Sequence, residues 1–308
     1  MVERSLPKPR LRSQLPILMR NSDELQIGSV DALVLRGSSP ALNRALRLLD
    51  GSHSLDRIAL DSGLTLPEVR SLVARLRREG LLVPPRPAAP PLVRLLGAGR
   101  LARAFAEAYA ESGAGDLLLV EPAPAPATEY ATPHLLPTGA ETLRAHLRAR
   151  GHHRVRCAPH WYRPEGPEPT LTVIAFDRPE CDRAVTDTMV RSDQPHLFVR
   201  PLDDGVIVGP FVVPGETCCT RCQDLVRARD SAWPQVLAQL CRVEIRPTPE
   251  LTAWAATTAL LQVRAWLAGV PPETLGATLE TRPGNWALAQ RHWPHHPDCG
   301  CGELRLAG

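Results

Sequence analysis

Gly209-Pro210-Phe211-Val212-Val213-Pro214-Gly215-Glu216-Thr217-Cys218-Cys219-Thr220-Arg221-Cys222 is the stretch that decides how this chain of 308 residues is read. An apolar run with strand character breaks at Pro214-Gly215 and delivers two thiols three positions apart, Cys219 and Cys222. A second short-spaced pair, Cys299-Gly300-Cys301, follows 77 positions later. Each pair brings two sulfurs to one side of a tight turn, and four thiolates complete the tetrahedral shell that Zn²⁺ favours. Structural zinc on Cys219, Cys222, Cys299 and Cys301 is therefore expected. Four protein ligands leave no open position for water, so the ion would tie the C-terminal segment to the body and do no chemistry. Cys218 competes as a ligand next door, and His292, His295 and His296 lie just before the second pair. A lone CxxC also reads as a redox motif; the second pair argues for metal.

Eight cysteines is not disulfide-scaffold density, and the N-terminus does not resemble a secretory signal, so a reducing, cytoplasmic location is expected. Cys157, Cys181 and Cys241 read as small core residues. Hydrophobic residues make up 44% of the chain, enough for a sizeable core, while no apolar run approaches the ~20 residues of a membrane helix. A soluble protein with no membrane partner is expected. Of 36 basic residues only Lys8 is a lysine, and it sits in an irregular Pro-flanked start. That excludes a Walker phosphate loop, a Schiff base and a pyridoxal lysine.

Upstream of the first cysteine pair the chain alternates strand and helix, the pattern of an α/β fold with a largely parallel sheet. Residues 92–96 read as a strand ending in Gly97-Ala98-Gly99, residues 101–111 as a helix, and 116–120 as a second strand ending at Glu121. Glycines at such a turn let a helix N-terminus face a phosphate, although the third glycine of the dinucleotide fingerprint is replaced by Ala102. Gly97, Gly99 and Glu121 thus read as a degenerate nucleotide site. Further strands are expected at 171–176, 197–199, 206–208 and 211–213. A long helix is expected over 249–267, with Thr248 as N-cap and Pro249 at the first position, then a terminal hairpin over 278–281 and 286–289.

Residues 84–91, with five prolines, cannot continue a helix and read as a stiff linker between residues 1–83 and 92–308. The first module shows short strands at 15–19, 25–27 and 33–35. Three helices follow, starting at Ser39-Pro40, at Ser54 and at the capping box Thr65-Leu66-Pro67-Glu68, and residues 81–83 add a strand. This is a winged helix-turn-helix. Across residues 1–90, 14 Arg and Lys face 9 Asp and Glu, which favours an acidic partner. Arg70, Arg75, Arg77 and Arg78 read as the wet face of the third helix, so nucleic acid is not the expected partner. The strand edge beside that helix is a place where an extended peptide adds as a further strand.

The run Val173-Ile174-Ala175-Phe176-Asp177, then Gln194-Pro195-His196-Leu197, then the segment 209–222, resembles the ThiF/MoeB superfamily related to ubiquitin-activating enzymes. With the winged module and the closing Pro297-Asp298-Cys299-Gly300-Cys301, nearly the whole chain is similar to the ThiF-like leader-peptide-binding proteins of azole and azoline ribosomal peptide pathways. The resemblance implies a Rossmann-type α/β body with structural zinc, and an N-terminal peptide recognition element that clamps the leader of a precursor peptide. It also implies docking to a YcaO-type cyclodehydratase that closes Cys, Ser and Thr into azolines, and it allows a homodimer. The clamp would map onto Leu33, Val34, Leu35 and Arg36 and onto Leu72, Arg75 and Leu76.

Adenylating members of the superfamily carry a fuller glycine loop, a paired-aspartate motif and a cationic segment that orders ATP; here the second strand runs into Glu121-Pro122-Ala123-Pro124. Asp177, after the strand at 171–176, stands where the resemblance implies a metal-coordinating aspartate, and it joins Gly97, Gly99 and Glu121 in the degenerate site. Because phosphoryl and adenylyl transfer depend on stabilising the triphosphate, the expectation is a non-catalytic recruitment subunit, with no catalytic residue and no bound cofactor beyond zinc. The alternatives are an active ATP-dependent adenylating or sulfur-transfer enzyme, and a winged-helix DNA-binding regulator.

Overall fold

A computed structural model of the chain describes residues 8–12, 15–29, 32–83, 90–121, 138–162, 166–281 and 288–301. Most of the expected linker, 84–89, and the start of the expected second hairpin strand, 286–287, lie outside the described residues. The chain divides into two compact units, Met1–Ala88 and Ala89–Gly308.

In the first unit, β1 (Ile17–Met19), β2 (Glu24–Ile27) and β3 (Leu33–Arg36) form an antiparallel sheet in that order. Three helices follow: α1 (Pro40–Leu48), α2 (Leu55–Ser62) and α3 (Leu66–Arg78). Local chemistry sets their starts. The Ser39 and Ser54 hydroxyls accept from the amides of Leu42 and Arg57, and Glu68 reaches back to the Thr65 amide at 2.7 Å. Gly63, with φ of 84°, closes α2 in the left-handed conformation that a side chain resists. The core joins Leu25, Ile27 and Leu35 of the sheet to Leu46, Ile58, Val69, Leu72, Val73 and Leu76 of the helices. Burying each such side chain contributes about 1.5–3 kcal/mol. The expected strand at 81–83 is reduced to one bridge, Leu82 to Leu11, because only that position meets the N-terminal segment in register.

The second unit runs β4 (Leu92–Leu96), α4 (Arg100–Ser112), β5 (Asp116–Val120), α5 (Gly139–Ala149), β6 (Val155–Cys157), β7 (Leu171–Ala175), α6 (Arg183–Arg191), β8 (His196–Leu202) and β9 (Gly205–Val212). It continues with α7 (Thr220–Arg227), α8 (Trp233–Leu240), α9 (Pro249–Leu267), β10 (Ala277–Thr281) and β11 (Ala289–His292). Eight strands form one sheet in the order β11-β10-β9-β8-β7-β4-β5-β6. Neighbours from β6 to β8 pair parallel, and those from β8 to β11 antiparallel. The two strands expected at 206–208 and 211–213 are one, β9, whose eight residues are all buried. α5 and β6 were not expected. α5 carries a complete capping box, Thr138 with Glu141, and buries Leu143 and Leu147 one turn apart.

Alternation along the strands divides the core. Val93 and Leu95 of β4, Val173 of β7 and Val208 of β9 pack with α4, α5 and α9, including Phe105, Leu143 and Ala255. Leu96, Ile174 and Phe198 turn to the other face and pack with Val185 of α6. Both sheet faces are thus covered, as a parallel sheet requires.

Candidate functional site

The expected peptide groove lies wholly in the first unit, and its residues meet different fates. Leu33 and Val34 are half-buried, Arg36 is exposed, and Leu35 is buried in the core. Leu72 and Leu76 also belong to that core, Leu76 with no exposure at all, so they back the helix and do not form an open pocket. Arg75 is exposed and its Nη2 donates to the Val34 carbonyl at 3.2 Å. An amphipathic helix has one apolar face, and α3 spends it on the unit's own core.

In the second unit the four expected thiols converge. Sγ atoms of Cys219, Cys222, Cys299 and Cys301 all lie within 4.8 Å of one another, and all four residues are buried. Cys219 is 4.0 Å from Cys222 and 3.6 Å from Cys299, and Cys222 is 3.5 Å from Cys301. Four sulfurs about 2.3 Å from a shared zinc would sit about 3.8 Å apart, so this donor set fits a tetrahedral ion. Cys219 ends the approach to α7 as its N-cap, and Cys222 lies inside the helix. Cys218 packs against the cluster but is not one of the four. The His296 amide donates to Cys222 Sγ at 3.4 Å, and His295 Nδ1 lies 3.6 Å from Cys301 Sγ, so the histidines surround the thiols without replacing one.

The electrostatics of the cluster call for a cation. The hydrogen bond from Cys219 holds Cys222 down to about 4, and the same bond raises Cys219. Burial pushes Cys218 and Cys301 up to about 12. Thiols sharing a dry site cannot all ionise together; a divalent ion supplies the charge that lets them.

A separate cavity of about 1110 Å³ opens at the C-terminal ends of β4, β5 and β7. The chain passes from β4 to β5 and β6 on one side and then returns to β7 on the other, which makes this a topological switch point. All four expected nucleotide-site residues, Gly97, Gly99, Glu121 and Asp177, line it. At Gly97, with φ of 123°, a Cβ would run into the Ala175 carbonyl, so only glycine permits the turn. Asp177 accepts from the amides of Arg100 at 2.6 Å and Leu101 at 3.0 Å, and its carboxylate therefore caps α4. Glu121 accepts from the Ala140 amide at 3.3 Å in the first turn of α5.

Sequence reasoning did not anticipate the rest of the wall. His160, Trp161 and Tyr162 form an aromatic run, with His160 and Tyr162 stacked at 5.2 Å. Arg94, buried in β4, fixes this run by donating to the Trp161 carbonyl at 3.0 Å. Burial lowers the Arg94 guanidinium to about 10. On the wall between β7 and α6, Arg183 pairs with Glu180 at 2.9 Å and Asp224 at 2.6 Å. Glu180 also receives the buried Arg200, and Arg227 at 2.9 Å. Burial would raise the Glu180 carboxyl, but Arg200, Arg183 and Arg227 together hold it below the usual range.

No protein-family model matches the chain, and no curated protein matches it. Its fold is nevertheless that of known structures. Escherichia coli MccB crystallised with ATP superposes with a TM-score of 0.62 at 15% identity, over 95% of this chain and 99% of MccB. The microcin C7 biosynthetic enzyme MccB in complex with N-formylated MccA gives 0.61 at 15% identity, over 96% of this chain and 99% of that one. A heterocyclase in complex with substrate and cofactor gives 0.61 at 16% identity, over 98% of this chain and 40% of the heterocyclase. The chain therefore has the ThiF-like fold that the resemblance implied. The expectation of a non-enzyme is corrected by the same finding: the fold, matched nearly end to end, is that of a biosynthetic enzyme crystallised with ATP. An incomplete glycine loop is not sufficient ground for excluding catalysis on this scaffold.

Proposed function

We propose that this protein captures a ribosomally made precursor peptide and serves its modification together with a YcaO-type cyclodehydratase on a separate chain. The observation that carries the reading is the likeness, over nearly the whole of this chain, to a heterocyclase solved with its substrate and to MccB solved with N-formylated MccA. The first unit supplies the recognition surface, as a small sheet with β3 at its edge beside α3. Leader residues would add along β3 as a fourth strand, and zinc on the four thiols would hold α7 and the C-terminal segment together.

Titration calorimetry of the full chain with the leader segment of a candidate precursor peptide tests the first half; saturable heat at one leader per chain is expected, and no heat sinks it. Adding the chain to the cyclodehydratase, precursor and Mg·ATP, which activates the amide oxygen that leaves as phosphate, tests the second. Azoline formation, read as an 18 Da loss per ring by about-unit-resolution mass spectrometry, is expected to rise in proportion to occupied leader sites.

A second reading is favoured by the switch-point cavity, whose position is where α/β folds bind nucleotides, and by the likeness to MccB crystallised with ATP. In it the chain activates a peptide carboxyl by adenylation. Peptide-dependent exchange of labelled pyrophosphate into ATP supports that reading, and a flat response with saturating leader removes it.

A further inference from the structure

Among the described residues, α8 differs from every other helix: Trp-Pro-Gln-Val-Leu-Ala-Gln-Leu is strongly apolar, yet none of its residues is buried. Pro234, Leu237, Ala238 and Cys241, at positions i, i+3, i+4 and i+7, all line the cavity, so one face of the helix is a cavity wall. Val236 and Val243 are 39% and 47% exposed on the outer side. The segment is tied at its two ends. At the far end Ile245 donates to the Asp177 carbonyl at 2.8 Å, and Arg178 Nη1 to the Cys241 carbonyl at 3.3 Å.

At the near end stands Arg227. Its guanidinium lies 4.8 Å from the Trp233 ring and 5.6 Å from the Trp293 ring, and it pairs with Glu180 at 2.9 Å. Trp233 Nε1 donates to Asp224 at 3.2 Å. Trp293 in turn packs against the buried cluster in which Cys219, Cys222, Cys299 and Cys301 lie with Val212 and Cys218. A continuous set of contacts therefore runs from the thiol cluster through Trp293 and Arg227 to Trp233 and the cavity wall.

We propose that residues 233–246 are a lid over the cavity, latched by Arg227 between Trp233 and Trp293, so that metal on the four thiols and closure of the lid stabilise each other. The lid would close on an anionic ligand with a phosphate chain. Arg242 and Arg246 lie on it and line the cavity, and neither makes an ion pair among the described residues, while Glu244 between them is held by Arg178 at 3.8 Å. The coupling requires no particular reaction in the cavity, so it stands apart from the peptide-binding reading. Arg227 acts here as a positioning residue.

Hydrogen exchange on the full-length, zinc-loaded protein reads the lid directly. Replacing Arg227→Gln, or chelating the metal, is expected to raise exchange across 233–246 at least tenfold, while α4 and α9 keep their protection. Trp233→Leu leaves the Glu180 pair intact and is expected to do the same, which guards against a folding defect in the Arg227 variant. Mg·ATP and inorganic tripolyphosphate, added separately, are each expected to slow exchange in the lid of the wild type; Arg242→Gln with Arg246→Gln should abolish that slowing. Unchanged lid exchange in both latch variants and after chelation overturns the latch. Slowing that survives loss of both arginines, or no slowing by either anion, overturns the assignment of the ligand class.

Discussion

Arg75 of α3 donates from Nη2 to the carbonyl of Val34 in β3 at 3.2 Å, placing an exposed guanidinium on an acceptor of the sheet's edge strand. A carbonyl met by α3 points away from β2, and in an antiparallel strand the amide of the same residue points the same way. Val34 therefore offers an outward donor and acceptor pair, the unit that an added strand reads.

Val34→Pro removes that outward donor and leaves the β2 to β3 ladder untouched, since edge positions tolerate proline. Leader affinity should fall about tenfold or more, equivalent to about 1.4 kcal/mol, with thermal stability nearly unchanged. Calorimetry on the full chain checks the first and a melting curve the second. Leu72→Asp, by contrast, places a carboxylate in the core and should unfold the unit before it reports on binding.

Metal content gives the next prediction. Purified protein should hold close to one zinc per chain, and Cys222→Ser should lose it, read by elemental analysis. The Cys301 thiol, which burial raises, must deprotonate on binding, so affinity should weaken as pH falls and loading should release protons. Leader binding by the first unit should persist in Cys222→Ser. Loss of both together would show that the two sites are not independent.

Asp177 supplies a third. Its carboxylate takes two amides at the start of α4, so Asp177→Ala should destabilise the second unit by about 0.5–2 kcal/mol. Urea unfolding checks that value. If the cavity takes a nucleotide triphosphate, the same variant empties the helix N-terminus for phosphate while losing a carboxylate that Mg²⁺ would use. Its ATP affinity with and without Mg²⁺ should then diverge from that of the wild type.

Elements whose signals are local were legible in the sequence. The strands at 92–96 and 116–120 and the helix over 249–267 stand where expected, each bounded by glycine, proline or an N-cap threonine. The thiol pairs converge as expected: local spacing sets the two sulfurs of each pair, and the fold brings the two pairs together. α5 carries a complete capping box, but the Pro-rich sequence before it carries a loop signal that masks the short helix. Leu72 and Leu76 show a deeper limit: periodicity marks a buried face without saying whether core or ligand buries it. The Arg227, Trp233 and Trp293 contact joins residues 66 positions apart and has no periodic signature at all.

His196 carries the last prediction. It is fully buried in β8, Nδ1 lies 3.0 Å from the Gln194 carbonyl, and Nε2 has no partner among the described residues. Burial comes first in lowering its pKa from 6.5 to about 4, and the nearby Arg94 adds to it. Above pH 6.5 the imidazole is neutral in both folded and unfolded chains and costs nothing. Between 6.5 and 4 the unfolded chain takes up a proton that the folded one refuses, so stability falls as pH falls, and the loss levels off below 4. A depression of that size corresponds to about 3 kcal/mol. His196→Leu gives up one hydrogen bond, about 1 kcal/mol at neutral pH, and removes the titration. Urea unfolding of both proteins at intervals from pH 7.5 to 4 should therefore show the gap between them closing and then reversing as the wild type loses ground. A gap that stays constant across that range would mean that His196 is protonated in the fold as readily as in water, and that the polar atoms around it, Thr172 and Gln194 among them, solvate the charge.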